Sequence, residues 1–135
     1  MIIDIDEVYN MLSWDNDISI QILGIQQAKK IKSLGVFILP FLSTNSKAVW
    51  ENCAKVLIDK NDEELMPYIT QLFKWLQDPN WPGSVLIFNR LLDMCFDVLE
   101  FPLEICLSMA KNTNDSIWEK ELIRFKKEKT KEETV

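Results

Sequence analysis

The stretch Leu76-Gln77-Asp78-Pro79-Asn80-Trp81-Pro82-Gly83 lies between two segments in which apolar residues recur at helical spacing. Pro and Gly interrupt regular structure, and Asn and Asp side chains accept hydrogen bonds from the first amides of a helix. We therefore expect Asn80 to cap the second helix. Pro82 is expected in its first turn, where no amide hydrogen is needed. The stretch predicts a sharp turn between two helices.

Similar polar turns recur along the chain. They contain Asn16, Asn45, Asn80 and Asn114, which are spaced 29, 35 and 34 residues apart. Most residues four, eight and eleven positions after each Asn are apolar or small, as the buried stripe of a helix requires. Gly24, in the middle of one such helix, indicates a close contact between helices. The pattern predicts an all-α fold, a short right-handed superhelix of about four helical hairpins.

The helix before each turn has an apolar stripe of its own. The clearest stripe runs from Leu65 to Leu76, the second includes Phe41 and Leu42, and the fourth is expected to begin after Pro102. Residues 1–125 are therefore assigned to a single helical domain. Residues 126–135 carry many charges and no apolar stripe, so they are expected to be a disordered tail.

Two strings carry a resemblance to a known family. They are Ala48-Val49-Trp50-Glu51-Asn52-Cys53-Ala54 and Trp75-Leu76-Gln77-Asp78 with Asn80-Trp81-Pro82-Gly83. They resemble a bacterial family of small, all-helical, HEAT-like repeat proteins of unknown function, and the resemblance extends from about Val8 to Trp118. It implies a fold and no activity. Helical-repeat proteins of this size also occur among immunity proteins that neutralise bacterial toxins, an analogy at the level of the fold.

The residue types available argue against catalysis. The chain has no His, its three Cys lack a Cys-x-x-Cys spacing, and it has no Gly-rich phosphate loop. Asp15-Asn16-Asp17 lacks the Gly and Glu that complete a calcium loop. We therefore expect no enzyme activity, no cofactor and no metal site.

The charge of the chain indicates the kind of partner. The 21 acidic and 15 basic residues give a net charge of −6, and the acidic excess lies before Lys120. An acidic body repels phosphate backbones and suits a basic protein partner. The Cys residues lie in apolar helical patterns and are expected to be buried, reduced thiols. No apolar run is long enough for a membrane span and no secretory signal is recognisable, so we expect a cytoplasmic protein without a membrane partner.

The predicted function is that of a non-catalytic protein-interaction module. It resembles an immunity protein and is expected to bind a basic toxin domain or another protein. The sequence leaves the oligomeric state open. Of the five Trp residues, Trp14 and Trp81 occupy turns, where they either pack as staples or serve as binding residues. The alternative is a small carboxylate-dependent hydrolase or lyase of unknown substrate, with Asp93, Asp97 and Glu100 on one helix face and Arg90 placed to pair with Asp93. The candidate partner-binding residues are Trp14, Asp15, Asp17, Asp78, Trp81, Arg90, Asp93 and Asp97.

Overall fold

The computed structural model describes residues 4–38 and 47–133, and in this part of the chain it contains helices and no strand. The prediction of an all-α fold is therefore confirmed. The α-helices are α1 (Ile5–Met11), α2 (Ile18–Ala28), α3 (Trp50–Ile58), α4 (Asp62–Leu65), α5 (Ile69–Lys74), α6 (Ser84–Leu92), α7 (Phe96–Asn112) and α8 (Ser116–Glu133). Short 3₁₀ turns cover Gly35–Phe37, Lys47–Val49, Met66–Tyr68 and Trp75–Gln77.

The helices pack mainly on their neighbours along the chain. α1 packs on α2, and α7 packs on α8. The helices that follow the polar turns also contact one another in chain order, α2 with α3, α3 with α6 and α6 with α8, while α5 contacts α7. The predicted turn at Asn45 and the apolar residues Phe41 and Leu42 lie outside the described residues.

One apolar core connects the helices. It extends from Val8 in α1 to Phe125 in α8 and includes the fully buried rings of Phe37, Trp75 and Phe73. Gly24 is buried where α2 meets α1, and an added Cβ there would lie 2.7 Å from the Cβ of Met11. The close helix contact predicted at Gly24 is therefore confirmed.

The helix starts follow local capping chemistry, although not always at the predicted residue. Asp4 caps α1, and Asn61 caps α4 through a reciprocal pair of bonds with Glu64. Asp115 accepts a bond of 3.1 Å from the amide of Trp118 at the start of α8. These bonds satisfy amides that have no partner within the helix.

The predicted roles of Asn80 and Pro82 in starting α6 are wrong. The side chain of Asp78 accepts the amide of Asn80 at 2.8 Å, which makes Asn80 part of the turn itself. Gly83, in the left-handed region with φ +85°, is the residue that precedes α6, and Pro82 remains in the turn. The turn is thus three residues longer than a cap at Asn80 implied.

Two predicted boundaries in the C-terminal part also differ from the structure. α7 begins at Phe96 and continues through Pro102. Pro102 lacks an amide hydrogen, but burial of Leu99, Leu103 and Cys106 on one face holds the helix together across it. α8 continues to Glu133, although disorder was expected from residue 126. Lys129 is buried there and donates to the carbonyl of Leu92 at 2.8 Å, a contact that the charge pattern does not reveal.

No helix in residues 4–38 and 47–133 is both long enough and apolar enough to cross a bilayer.

Candidate functional site

The turn that decides the fold is held by aromatic side chains. The indole N–H of Trp75 donates to the carbonyl of Pro82 at 2.9 Å. Trp81 is half-buried with its ring edge-on to Trp50, at a centroid distance of 5.3 Å, and Trp50 is in turn edge-on to Trp75 at 6.5 Å. Such edge-to-face pairs stabilise a fold beyond the area that they bury. Trp81 therefore packs as a staple and exposes only part of its ring.

Gly83 joins this turn to α3. Its amide donates to the carboxylate of Glu51 at 2.6 Å, and an added Cβ would lie 2.7 Å from the Cβ of Ala54. Only Gly accepts φ +85° without strain and also permits this close approach. The segment Trp81-Pro82-Gly83 is thus fixed against the first turns of α3.

The loop between α1 and α2 reaches the same end of α3. The amide of Trp14 donates to the carbonyl of Ala48 at 3.0 Å. The buried Asn52 donates to the carbonyl of Leu12 at 2.7 Å and to the side chain of Gln21 at 3.0 Å. α2, α3, α6 and α8 contact one another in this order, and we call them the helix row. The two candidate turn residues Trp14 and Trp81 therefore lie at the same end of the helix row, on either side of the start of α3.

The side chains around these two Trp residues are mixed in charge. Trp14 is 49% exposed, and Asp15 and Asp17 beside it are exposed. Lys47 places its ammonium 5.5 Å from the ring centre of Trp50 and 5.4 Å from that of Trp81, a cation–π arrangement. The half-buried Asp78 is engaged with the amide of Asn80. This end offers Trp14 as an exposed aromatic contact, while Trp81 is engaged with its neighbours.

Arg90 lies at the other end of α6. Its guanidinium donates to Asp62 at 2.6 Å and to the carbonyl of Lys60 at 2.9 Å, so the predicted pairing of Arg90 with Asp93 is wrong. Lys60 is buried and donates to the carbonyls of Lys29 and Ile31. Arg90 therefore belongs to a set of bonds that holds the ends of α2, α3 and α4 together.

The carboxylates proposed for acid–base chemistry do not share one helix face. Asp93 follows the last residue of α6, whereas Asp97 and Glu100 belong to α7. The turn that includes the fully buried Met94 and the extended Cys95 separates the two helices. All three carboxylates are exposed. Among residues 4–38 and 47–133, no group of three or more Cys, Asp or Glu is placed to hold a metal ion.

The three thiols differ from one another. Cys53 and Cys106 are buried, and burial raises the pKa of Cys53 to about 12 and that of Cys106 to about 11. Cys95 is exposed, because it precedes α7 in an extended conformation, and the expectation that all three are buried is wrong at this residue.

A cleft of about 140 Å³ lies between the start of α6 and α8. Arg124 crosses it with its guanidinium 4.0 Å from the ring centre of Phe88, and it donates to Glu121 at 2.6 Å and to Glu128 at 2.9 Å. These carboxylates raise the pKa of the Arg124 guanidinium, the bond to Glu121 being the largest cause. The single Arg pairs with both carboxylates, which leaves one net negative charge, and the cleft has the character of a packed ion-pair group.

The exposed face of α7 carries two parallel stripes that the sequence analysis missed. Asp97, Glu100 and Glu104 form an exposed acidic stripe, each one residue before an apolar stripe of Val98, Phe101 and Ile105. Phe101 is 74% exposed and Ile105 is 37% exposed, and Val98 is half-buried. Both stripes have the spacing of residues on one helix face. The signal was present in the sequence, but placing the start of the helix after Pro102 divided it.

One ion pair touches the acidic stripe. Lys126 of α8 lies 2.8 Å from Glu104, and both side chains are about half-exposed. Exposed pairs of this kind contribute little to stability and exchange readily for another cation. We call the residues Asp97, Val98, Glu100, Phe101, Glu104 and Ile105 the α7 face.

These features define the described part of the chain as an all-α protein with an aromatic staple at the turn before α6 and an exposed acidic–aromatic face on α7. The chain belongs to the DUF5071 family, a domain of unknown function, whose family model matches residues 42–134. The expected membership of a family of unknown function is thereby confirmed, whereas the expected extent, from about Val8 to Trp118, differs from the residues matched. No curated protein and no solved structure matches the chain.

Proposed function

We propose that the chain is a non-catalytic protein-interaction module that binds a basic segment of a partner protein along the α7 face. The observation that carries the proposal is Phe101, a large aromatic side chain that is 74% exposed beside three exposed carboxylates. Aromatic residues are enriched at the centres of interfaces, where their burial provides much of the affinity.

Charge complementarity gives the sign of the partner. Asp97, Glu100 and Glu104 follow one side of the apolar stripe, so a basic amphipathic segment can place cations on the acids and apolar side chains on Phe101 and Ile105. Steering of this kind raises association rates at low salt. The chain's net charge of −6 acts in the same direction.

The position of the α7 face agrees with a role common to the family. α7 lies within residues 42–134, to which the family model matches, whereas Trp14, Asp15 and Asp17 precede them. We therefore place the general partner contact on α7. Trp14 and its acidic neighbours, with Asp78 and Trp81, remain a secondary contact proposed for this chain.

The finer architecture belongs to the same proposal. Contacts of α2 with α3, α3 with α6 and α6 with α8, together with α5 against α7, support a short HEAT-like superhelix in which helical hairpins stack side by side. Such stacks commonly serve as binding surfaces. We further propose that the partner is a basic toxin domain and that the chain acts as its immunity protein, a step that rests on fold-level analogy and the acidic charge.

The alternative of a carboxylate-dependent hydrolase or lyase has less support. It rested on Asp93, Asp97 and Glu100 lying on one helix face, but Asp93 follows the end of α6, Asp97 and Glu100 lie on α7, and all three side chains are exposed. A catalytic carboxylate requires close geometry with its substrate and usually a partly desolvated site.

Co-purification from the native host at low salt, with partners identified by mass spectrometry, tests the proposal. The wild-type chain is expected to retain a protein rich in Lys and Arg. A Phe101→Ser variant and a Glu100→Lys, Glu104→Lys double variant are expected to lose it. The control Ile117→Glu changes a side chain that is 58% exposed on α8 and should retain the partner. Recovery of no partner, or equal recovery with all four chains, would overturn the proposal.

A further inference from the structure

α2 is an exposed helix without a single charged side chain. Its sequence from Ile18 to Ala28 contains no Asp, Glu, Lys or Arg. Ile18 is 68% exposed, Ile22 is 49% exposed and Leu23 is 46% exposed. A helix at the surface of a globular domain normally has charged and polar residues on the face that points away from the core. Contiguous apolar side chains of this kind mark an interaction surface.

The position of α2 explains why this face is open. α2 packs on α1 through Gly24, and on α3, at the N-terminal end of the row that continues through α6 to α8. A helix inside a stack of hairpins has its apolar face covered by the next unit. α2 has the apolar character of such an internal helix, yet this face is exposed in the described part of the chain.

The charges at the two ends of α2 have opposite sign. Asp15 and Asp17 are exposed at its amino end, and the side chain of Asp17 makes no capping bond to the helix. Lys29, Lys30 and Lys32 are exposed just beyond its carboxyl end. Lys29 has only a loose, exposed ion pair with Asp59 at 3.8 Å. An apolar helix about 16 Å long thus separates an acidic end from a basic end.

We propose that a second copy of this chain covers the α2 face, with the two α2 helices antiparallel about a two-fold axis. In this arrangement the apolar residues of each α2 meet those of the other, with Ile22 and Leu23 near the axis. Asp15 and Asp17 of each copy lie beside the basic end of the other α2. A two-fold interface must be self-complementary, and α2 provides that in both its apolar centre and its opposed charges.

The expected dimer is weak. Two helices of 11 residues bury less surface than a standard interface, which involves about 1,600 Å² in total. Small interfaces of this kind have dissociation constants of roughly micromolar or weaker. Because α2 precedes the residues that match the family, and because the α7 face is a separate surface, dimerisation and partner binding along the α7 face can succeed or fail independently. The secondary partner contact at Asp15 and Asp17 would instead compete with the dimer.

Sedimentation equilibrium of the full chain from about 1 μM to about 500 μM, a range chosen to bracket a weak dimer, tests the proposal. The wild-type mass is expected to rise from 15.8 kDa toward twice that value. An Ile22→Glu variant should remain monomeric across the range, with unchanged far-ultraviolet circular dichroism. The matched control Ile117→Glu introduces the same charge at a distant exposed site and should dimerise as the wild type does.

A charge exchange tests the antiparallel arrangement. An Asp15→Lys, Asp17→Lys chain carries positive charge at both ends of α2. A Lys30→Glu, Lys32→Glu chain carries negative charge at both ends. Each alone should associate at least tenfold more weakly than the wild type, and an equimolar mixture should recover association. A wild-type chain that is monomeric at all concentrations would overturn the proposal. The α2 face would then be covered by the chain's own residues or by a different partner. Association unaffected by Ile22→Glu, or pure variants as tight as their mixture, would overturn it too.

Discussion

Glu51 accepts a hydrogen bond of 2.6 Å from the amide of Gly83, although 32 residues separate them in the chain. The next residue in α3, Asn52, reaches in the other direction and binds the carbonyl of Leu12 at 2.7 Å. Two consecutive polar side chains in the first turn of α3 therefore connect the N-terminal hairpin to the turn before α6. This connection holds the N-terminal hairpin, α3 and the start of α6 in their order along the chain.

Replacing Gly83 by Ala should destabilise the protein strongly. The new Cβ would meet Ala54 at 2.7 Å and the carbonyl of Trp50 at 3.1 Å, in a backbone with φ +85°. We expect a loss of about 2 kcal/mol or more in the free energy of unfolding, measured by urea titration with Trp fluorescence. Gly35→Ala is the matched control, because apart from its chain neighbours no atom of residues 4–38 and 47–133 lies within 4 Å of its added Cβ. Equal losses in the two variants would contradict this role of Gly83.

Replacing Asn52 by Ala should loosen the N-terminal hairpin before the rest of the fold. The change removes two hydrogen bonds and leaves the carbonyl of Leu12 without its side-chain donor, at a cost of about 1–3 kcal/mol. Amide hydrogen exchange measured by mass spectrometry should accelerate in α1 and α2 and change little in α7 and α8. Asn89→Ala, at an exposed position of α6, should leave the exchange pattern unchanged. Uniform acceleration in all helices would show that Asn52 has no local role.

Replacing Lys129 by Ala tests whether the charged end of α8 is part of the fold. The buried ammonium caps the carboxyl end of α6 through the carbonyl of Leu92 at 2.8 Å. Its removal should lower the free energy of unfolding by about 1–2 kcal/mol. The control Lys127→Ala removes an exposed Lys two residues earlier and should change stability by less than about 0.5 kcal/mol. A disordered tail would make the two variants indistinguishable from the wild type.

The thiols should differ in reactivity. Because burial raises the pKa of Cys53 to about 12 and of Cys106 to about 11, both remain protonated and inaccessible in the folded chain. A thiol reagent at about pH 8 should therefore label only Cys95 until the chain unfolds, and Cys95→Ser should abolish labelling of the folded chain. Rapid labelling of all three thiols in the folded chain would contradict the packing around α3 and α7.

The same thiols give a dependence of stability on alkaline pH. In the unfolded chain both ionise near the ordinary pKa of 9.0, whereas in the folded chain they ionise only at about 11 and 12. Their contribution to stability is complete below pH 9 and is lost as the pH rises through the folded values, since only the unfolded chain releases these protons. A Cys53→Ala, Cys106→Ala chain should show a smaller decline above pH 9 in urea titrations. An identical decline in both chains would assign it to other groups.

Local sequence patterns predicted the helical class and the place of the turn at Asp78, because helical spacing and turn residues act over a few positions. The same patterns predicted the close contact at Gly24. They failed where distant packing decides. α7 crosses Pro102 because side chains on both sides of it, among them Leu99, Leu103 and Cys106, are buried. α8 continues past Lys126 because Lys129 donates to a carbonyl 37 residues away. No local rule contains those contacts.

The candidate site was predicted less well than the fold. Trp81 was recognised as a turn residue, but its engagement with Trp50 depends on α3, which is remote in sequence. Asp93 and Asp97 were assigned to one face because their spacing is helical, yet α6 ends at Leu92 and α7 begins at Phe96, so a turn separates them. The α7 face could have been found from the paired spacing of its acidic and apolar residues, if the helix had been continued through Pro102.

The most direct test of the proposed function is the affinity of the purified partner complex at two salt concentrations. Isothermal titration calorimetry at about 50 mM and about 200 mM NaCl should show wild-type binding that weakens about tenfold with salt. Glu100→Gln, Glu104→Gln should bind more weakly at low salt and lose most of the salt dependence, and Phe101→Ala should lose at least about thirtyfold at both concentrations. Equal affinities for all three chains at both concentrations would contradict binding through the α7 face.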